Sequence, residues 1–414
     1  MKNIILNQRK ERDELLSRNY IIRHSRYDER ALLESKLIKL ITGPRRVGKS
    51  TQALLMLRER NFAYLNFDNK PLLDAWDEQM VMRMLDDVYP GYDYLLLDEV
   101  QNLDGWDMWV SELYRRGKNL VVTGSNAKML SGEMATVLTG KYLQVEMLPF
   151  GLDEFFDWHN LDINNIKEEE RTHAAALTDD YLRCGGYPET VLSRQITASY
   201  LYTLFDSIIW KDVVRRHRVR NSTELGDLAT YLLSNFCNPL STTELTAQLG
   251  FASVNTTQKY LDYLHEPYLF YYLPRYDKKL KLMKKAQRKV YVVDNGFVLA
   301  KAFSLSENLG RLLENQVFVE LLRRGYNTER SLFYYRSRND KEVDFVLRDG
   351  FKVSRLIQVC YDISNEKTLR REVAALTECA KELNCQDLVI VTMNEERIIN
   401  KDGLEIHVVP VGKF

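Results

Sequence analysis

A glycine-rich loop, GPRRVGKS at residues 43–50, is the feature that most constrains how this chain folds. It matches the pattern G-x-x-x-x-G-K-[ST], follows an apolar run at 37–41 and precedes the apolar helical pattern TQALLMLRER. Glycines let such a loop curl until its backbone N–H groups and the N-terminus of the next helix face an anion. The sequence therefore predicts a strand, an anion-binding loop and a helix in succession.

Residues of this loop are predicted to bind ATP and Mg²⁺. We expect Lys49 to bridge the β- and γ-phosphates and the Ser50 hydroxyl to ligate Mg²⁺. The predicted ATP-binding residues are Gly43, Pro44, Arg45, Arg46, Val47, Gly48, Lys49, Ser50, Thr51 and Ser125. The alternative is a chance match in a surface loop.

Two adjacent carboxylates, Asp98 and Glu99, follow the apolar run at 95–97. Asp98 is expected to hold Mg²⁺ through water, and Glu99 is placed to polarise the water that attacks the γ-phosphate. A third apolar run ends in Thr-Gly-Ser-Asn at 123–126, where Asn126 is expected to contact the γ-phosphate or the water. The alternative is that these are solvated groups at ordinary strand ends. The predicted catalytic residues are Glu99, Lys49, Asp98 and Asn126.

Short apolar runs alternate with helical patterns in the first 150 residues. The runs lie at 37–41, 62–67, 94–98, 119–124 and 142–148. Continuous apolar strands separated by helices are typical of a parallel sheet covered on both faces, so the predicted fold class is α/β. The predicted parts are a P-loop domain with this sheet (1–150), a helical segment (151–225), a winged helix-turn-helix (226–300) and a second α/β unit (301–414).

Composition narrows the functional classes. The 414 residues include 58 basic and 58 acidic side chains, a balance that excludes a protein coating nucleic acid along its whole surface. The chain has no run of about 18 apolar residues and no secretory signal pattern, which predicts a cytoplasmic protein without a membrane partner. The five cysteines are scattered without a CxxC pair, so neither a disulfide framework nor a zinc site is expected.

Further motifs along the chain carry a family resemblance. They are GPRRVGKST, LLLDEVQN, VVTGSNAKML, LTGKYLQVEMLPFGLDEF, YLRCGGYPE, YVVDNG, ENQVFVELLRRG and KEVDFVL. With this set, spread over about residues 20–360, the chain resembles prokaryotic AAA+ P-loop ATPases that carry a C-terminal domain of unknown function related to PD-(D/E)xK nucleases. The resemblance implies ATP binding and hydrolysis, and a nuclease-like fold for the C-terminal α/β unit.

The segment LTGKY departs from the pattern of similar proteins. They usually have arginine where this chain has Lys141, at a position that could contact ATP in a neighbouring subunit of a homo-oligomer. Arginine presents a planar fork to two phosphate oxygens, whereas lysine offers one point charge. Arg115 and Arg116 are alternative residues for this trans contact, and Lys141 could also be a solvated side chain.

The nuclease resemblance implies a helix acid, a strand Asp and an E-x-K pair on the next strand. Glu314 lies on the apolar stripe of its helix, and Asp344 shares a strand face with Glu342. Where E-x-K is expected, the chain has Gln358 and Cys360. We therefore expect a degenerate site retained for binding or assembly, unless Lys341 or Lys352 replaces the missing lysine.

A basic segment at 275–289 has eight basic residues and one acid. It lies between predicted strands at 268–273 and 289–294, after two short helical patterns, which favours the wing of a winged helix. The residues predicted to contact DNA or RNA phosphates are Lys278, Lys279, Lys281, Lys284 and Lys285. A solvated hairpin is the alternative, and a second basic cluster at 211–220 is open to the same two interpretations.

Three functional hypotheses follow. The leading one is an ATPase that couples Mg-ATP turnover to rearrangement of the winged-helix and nuclease-like units, acting on nucleic acid. The second is an ATP-gated DNA or RNA nuclease. The third is a slow nucleotide-dependent switch that binds DNA or a protein partner.

Overall fold

A computed structural model of the chain describes residues 1–125, 137–302 and 308–414. The chain divides into two compact units. The first comprises residues 1–148 with 266–268, and the second comprises residues 149–265 with 269–414. Among the helices described in these ranges, none is both long and apolar enough to cross a membrane.

The first unit contains a five-stranded sheet. Its strands are β1 (Ile38–Thr42), β2 (Phe62–Asn66), β3 (Tyr94–Asp98), β4 (Asn119–Gly124) and β5 (Tyr142–Glu146). The strand order is β2-β3-β4-β1-β5, and every neighbouring pair is parallel. Strands β1 to β4 are buried along almost their whole length, which explains why each forms an unbroken apolar run in the sequence. The predicted parallel sheet is confirmed.

Several helices accompany this sheet, and a side-chain hydrogen bond fixes where one of them begins. The described helices of the first unit are Lys2–Leu16, Glu29–Glu34, Lys49–Met56, Lys70–Asp74, Glu78–Val88 and Trp106–Arg115, with a 3₁₀ turn at Val100–Asn102. Asp77 begins one of them, because its carboxylate accepts a hydrogen bond from the Met80 N–H at 2.7 Å. Trp109 anchors the core beside the sheet, with ring centroids 4.9 Å from Trp76 and 6.0 Å from Phe67.

The second unit begins with helices. Its described helices are Leu152–Trp158, Arg171–Cys184, Pro188–Leu192, Thr197–Ser207, Ile208–Val214, Arg215–His217, Ser222–Ser234, Thr242–Leu249, Val254–His265, Leu280–Lys285, Asn295–Lys301, Leu309–Arg323 and Glu366–Leu383. Short 3₁₀ turns lie at Glu168–Glu170 and Arg194–Ile196. The segment Ile208–Val214 is π-helical and joins the helices on either side without a break.

A small antiparallel sheet has one strand before the helices Thr242–Leu249 and Val254–His265 and two strands after them. Its strands are β6 (Pro239–Leu240), β7 (Phe270–Pro274) and β8 (Arg288–Val292), in the order β6-β8-β7. The connection between β7 and β8 contains the helix Leu280–Lys285, where the sequence had predicted a simple hairpin. Leucine, methionine and lysine are good helix formers, which accounts for the extra turn of helix.

The C-terminal part of the second unit is a mixed six-stranded sheet. Its strands are β9 (Leu332–Arg336), β10 (Glu342–Asp349), β11 (Lys352–Val359), β12 (Leu388–Thr392), β13 (Arg397–Lys401) and β14 (Leu404–Pro410). The order is β13-β14-β12-β11-β10-β9, with β11, β12 and β14 parallel. The sequence did not predict β13, an edge strand that is exposed apart from the half-buried Ile399 and so lacks an apolar alternation.

Arg323 is a largely buried cation that connects two helical regions of the second unit. Its guanidinium is 2.9 Å from an oxygen of Glu154, whose side chain is fully buried, and 3.4 Å from Asp153. It also donates a hydrogen bond to the Pro149 carbonyl at 3.0 Å. The helix Leu309–Arg323 is thereby tied to the start of the helix Leu152–Trp158.

Asp294 connects two of the motifs noted in the sequence. Its carboxylate accepts hydrogen bonds from the backbone N–H groups of Gly186 at 2.7 Å and Gly296 at 2.8 Å. Burial raises the pKa of Asp294 to about 7, although these two donors oppose the shift. Gly185 has φ 72°, and a Cβ atom there would lie 1.8 Å from an Asp294 carboxylate oxygen, so only glycine fits.

Replacing Arg323 by methionine should destabilise the protein strongly. The change leaves the Glu154 carboxylate buried without its cation, which typically costs about 3–5 kcal/mol in free energy of unfolding. The neighbouring Arg324 is the matched control, because it is exposed and its ion pair with Glu320 lies near the surface. Arg324→Met should cost no more than about 1 kcal/mol. Chemical unfolding of both variants measures the difference, and equal losses would contradict this role for Arg323.

Candidate functional site

The predicted anion-binding loop follows β1 and is held by its own unit. Gly43 has φ 143°, and a Cβ atom there would lie 2.1 Å from the Met147 carbonyl oxygen. Thr42 accepts a hydrogen bond from the Met147 N–H at 2.8 Å. Arg23 donates to the carbonyls of Val47 at 3.3 Å and Leu148 at 2.6 Å. The loop is therefore clamped between β1, the segment after β5 and the N-terminal region.

The side chains of the loop differ in their exposure to solvent. Pro44 and Val47 are buried, Arg45 is half-buried, and Arg46 is exposed with a left-handed backbone (φ 70°). Gly48 also has a positive φ, of 91°, but a Cβ atom there would have open space around it. The helix then begins at Lys49, with Ser50 and Thr51 in its first turn.

Lys49 lies inside the loop rather than in solvent. Its side chain is 3% exposed, and its ammonium donates a hydrogen bond to the Pro44 carbonyl at 2.8 Å. The same nitrogen is 4.0 Å from an oxygen of Glu99. A buried ammonium at the N-terminus of a helix is suited to binding an anion at this loop.

Asp98 is the centre of a hydrogen-bond network at the carboxyl end of β3. It accepts from the hydroxyls of Ser50 at 2.7 Å, Thr123 at 2.5 Å and Tyr64 at 3.3 Å. Burial raises the pKa of Asp98, while the Thr123 and Ser50 donors lower it. Ser50 and Asp98, the two predicted metal ligands, are brought together, and a hydroxyl beside a carboxylate is an oxygen pair that suits Mg²⁺.

Glu99 has a left-handed backbone, with φ 51°, which is uncommon outside glycine and is found at functional sites. Its N–H donates to the Thr123 hydroxyl at 2.9 Å. Its carboxylate accepts hydrogen bonds from the Gln101 amide and, at 3.3 Å, from the Ser125 hydroxyl. Gln101 was missed in the sequence, where the only signal was a polar amide two positions after Glu99. Asn126 lies outside the described residues.

The predicted trans-contact residues are placed differently from one another. The Lys141 ammonium donates to the Ser111 hydroxyl at 2.8 Å and the Val137 carbonyl at 2.7 Å. Arg115 and Arg116 are exposed at the end of the helix Trp106–Arg115, and Arg116 forms an ion pair with Glu112. The Lys141 ammonium is therefore already hydrogen-bonded to groups of its own chain.

The predicted nuclease-like residues line a cavity of about 570 Å³ in the second unit. Glu314, Asp344, Gln358 and Cys360 all contribute to its wall. Burial, and then the charge of Glu314, raise the pKa of Asp344 to about 8. The lysine whose ammonium contacts Glu314 and Asp344 is Lys289, at 3.0 and 3.2 Å. Lys341 lines the cavity, whereas Lys352 lies exposed at the start of β11.

The position of Lys289 differs from what the sequence pattern indicates. It belongs to the basic segment at 275–289, but its side chain is only 3% exposed. Its burial depends on acids 25 to 55 positions further along the chain, so local composition gave no sign of it. The basic surface of this segment is correspondingly smaller.

The five lysines predicted to contact nucleic acid are all exposed. Lys281, Lys284 and Lys285 lie on the helix Leu280–Lys285, and Lys278 and Lys279 precede it. Two of them also line a cavity of about 800 Å³, together with residues of the helix Val254–His265. In the second basic cluster, at 211–220, Lys and Arg side chains are exposed as well.

Comparisons with known proteins assign families to three stretches. Residues 35–156 match the model of an AAA domain, residues 175–308 match a domain of unknown function (DUF8612), and residues 309–414 match another (DUF4143). An uncharacterized protein of Methanocaldococcus jannaschii is 33% identical over 394 residues, covering 91% of this chain and 88% of that protein. An uncharacterized protein of Haemophilus influenzae is 32% identical over 350 residues, covering 80% and 84%.

The Walker-type ATPase of Pyrococcus abyssi is 15% identical, with a TM-score of 0.44, and the alignment covers 69% of this chain and 99% of that one.

Two loop glycines should differ in their tolerance of alanine. Gly43→Ala introduces both an unfavourable φ and a Cβ that overlaps the Met147 carbonyl, whereas Gly48→Ala introduces only the unfavourable φ. We expect Gly43→Ala to lower the free energy of unfolding by at least about 1 kcal/mol more than Gly48→Ala. Thermal unfolding of nucleotide-free protein measures this, and equal losses would show that the loop is not packed against Met147.

Proposed function

This chain belongs to the AAA-domain family of its Methanocaldococcus and Haemophilus relatives, and we propose that it binds and hydrolyses Mg-ATP. The observation that carries the proposal is the convergence of Lys49, Ser50, Asp98 and Glu99 at one edge of the parallel sheet. These four side chains come from the loop after β1 and from the end of β3. They provide an ammonium, a hydroxyl and two carboxylates beside a helix N-terminus.

Binding rests on the loop at 43–50. Its backbone N–H groups and the first turn of the helix Lys49–Met56 face the phosphates, and the Lys49 ammonium pairs with the β- and γ-phosphates. Ser50 and Asp98 would hold Mg²⁺. The ion, when bound, neutralises charge that develops on the phosphates. Thr123 and Tyr64 keep the Asp98 carboxylate in place through their hydroxyls.

Hydrolysis rests on Glu99. Its carboxylate accepts a proton from the attacking water, and the hydrogen bonds from Gln101 and Ser125 orient it for that task. The Lys49 ammonium lies 4.0 Å from the Glu99 carboxylate. A glutamine at position 99 would preserve the size of the side chain but could not accept the proton.

We propose that turnover rearranges the second unit. The helices Thr242–Leu249 and Val254–His265 with strands β6 to β8 have the element order of a winged helix-turn-helix, and the β9–β14 region corresponds to the nuclease-like part. We propose that the chain has four domains, at residues 1–150, 151–225, 226–300 and 301–414. In a homo-oligomer, Arg115 is a better candidate than Lys141 for contacting ATP in a neighbouring subunit. The Lys141 ammonium already donates hydrogen bonds to Ser111 and Val137.

The exposed lysines favour nucleic acid as a second ligand. Five ammonium groups are exposed within eight residues, and two of them border a cavity formed with the helix Val254–His265. Such a row of cations suits the regularly spaced phosphates of DNA or RNA. We propose that this surface contacts the backbone of the nucleic acid rather than its bases.

ATPase assays of wild type, Lys49→Ala and Glu99→Gln test the main proposal. Lys49→Ala should lose ATP binding, whereas Glu99→Gln should bind ATP but turn it over at least about 100-fold more slowly. Glu59→Gln, an exposed residue after the same helix, is the matched control and should keep wild-type turnover. A Glu99→Gln variant that hydrolyses ATP at the wild-type rate would refute the assignment.

The same assay, run over a range of protein concentrations, distinguishes the alternatives. Specific activity that rises with concentration, and falls in Arg115→Ala, supports a trans-assembled site. Turnover near background together with ATP-dependent capture of DNA or a protein would favour the slow switch instead.

Charge reversal at Lys284 and Lys285 tests the nucleic-acid surface. The double variant to glutamate should weaken binding of short duplexes uniformly across sequences and reduce the salt dependence, with a slope smaller by up to about 2. Fluorescence anisotropy at several salt concentrations measures this. The double variant Lys10→Glu, Lys36→Glu carries the same change of charge on other exposed positions. Equal weakening in both variants would mean that net charge alone, and not this surface, governs binding.

A further inference from the structure

The ammonium of Lys289 lies at the centre of three carboxylates in the second unit. It is 2.8 Å from Glu342, 3.0 Å from Glu314 and 3.2 Å from Asp344. The lysine comes from β8, Glu314 from the helix Leu309–Arg323, and the other two acids from β10. A single cation thereby joins the small antiparallel sheet to two elements of the C-terminal α/β region.

The geometry of this cluster fits an ammonium ion. An ammonium has three N–H donors, and three carboxylate oxygens surround this one. Their distances from the nitrogen are those of charge-assisted hydrogen bonds and exceed the distances of about 2.0–2.6 Å at which oxygen binds Mg²⁺ or Ca²⁺. Tyr291 completes the arrangement by donating its hydroxyl to Glu314 at 2.7 Å.

The same acids border the cavity of about 570 Å³. Glu314, Glu342 and Asp344 line it, while Lys289 does not. Gln358 also lines it, is 8% exposed, and its carbonyl oxygen has no hydrogen-bond partner among the described residues. Arg311, Lys341 and Arg371 line the cavity as well. The Gln358 amide oxygen could accept a further bond.

We propose that the Lys289 ammonium is a built-in cation that replaces a divalent metal ion in this carboxylate cluster. The native chain then holds no metal there, because a second cation beside the ammonium would be repelled and the carboxylates are already engaged. Removing the ammonium unmasks a divalent-cation site formed by Glu314, Glu342 and Asp344 with Gln358. The cluster thus fastens β8 to β10 and does not activate water for hydrolysis of a phosphodiester.

The test uses the full-length, nucleotide-free protein with Mn²⁺ as the probe. All variants carry Asp98→Asn, which weakens the other predicted metal site. Thermal unfolding and electron paramagnetic resonance then compare four proteins: Lys289 intact, Lys289→Met, Lys289→Met with Asp344→Asn, and Lys289 intact with Asp344→Asn. Lys289→Arg, which keeps the positive charge, is the control for loss of the lysine side chain itself.

The proposal predicts a gain of metal binding only where the cation is lost. Lys289→Met should bind Mn²⁺ and recover roughly 5–10 °C in Tm at a Mn²⁺ concentration about 100-fold above Kd. Lys289→Met with Asp344→Asn, and Lys289→Arg, should show no such recovery. A folded Lys289→Met protein that gains no Mn²⁺ site would overturn the proposal.

The two proteins with Lys289 intact decide the matter even if Lys289→Met does not fold. If they bind Mn²⁺ alike, the native cluster holds no metal and the proposal stands. If Asp344→Asn removes a Mn²⁺ ion that the Asp344 protein binds, the native cluster is a metal site and the proposal fails. ATP hydrolysis plays no part in either readout, so failure of the proposed ATPase function would leave this result unaffected.

Discussion

Asp98 is almost inaccessible to water, and hydroxyl groups from three different elements hold its carboxylate. Ser50 comes from the helix after the glycine-rich loop, Thr123 from β4 and Tyr64 from β2. Because a buried charge without partners is very costly, the loop, the neighbouring strands and the position of Glu99 are all tied to this carboxylate. The edge of the sheet is therefore ordered by the same groups that we propose for catalysis.

The second unit satisfies the same requirement with ion pairs. Arg323 neutralises Glu154, and Lys289 neutralises part of a three-carboxylate cluster. Both cations connect segments that are far apart in sequence, so they contribute to the arrangement of the unit as well as to its charge balance. Breaking such a pair is far more costly than its net contribution, because the remaining partner is left buried and charged.

Much of the first unit could be predicted because its information is local. Parallel strands buried on both faces appear as unbroken apolar runs, and the loop pattern at 43–50 lies within eight residues. The order in which the strands pair, β2-β3-β4-β1-β5, is set by contacts between distant segments and has no local signature. The role of Gln101 was missed for a related reason, since only the left-handed turn at Glu99 brings its amide back to that carboxylate.

The second unit was harder to predict. Lys289 is surrounded in sequence by other basic residues, and only the fold reveals that it points away from them into a cluster of acids. The mostly exposed strand β13 gives no apolar pattern, and the helix Leu280–Lys285 lies where a plain hairpin was expected. Each of these features depends on what the rest of the chain places nearby rather than on the residues themselves.

Gly185 lies directly against the Asp294 carboxylate, so that a Cβ atom at position 185 would overlap it. The neighbouring Gly186, 108 positions before Asp294, donates a hydrogen bond to the same carboxylate. Neither residue can change alone: a side chain at 185 would displace the carboxylate, and without the carboxylate the Gly186 N–H would be buried without an acceptor. During divergence of the family, the two positions should therefore be kept together or lost together. Such paired inheritance would mark this contact in distant relatives whose overall similarity has faded.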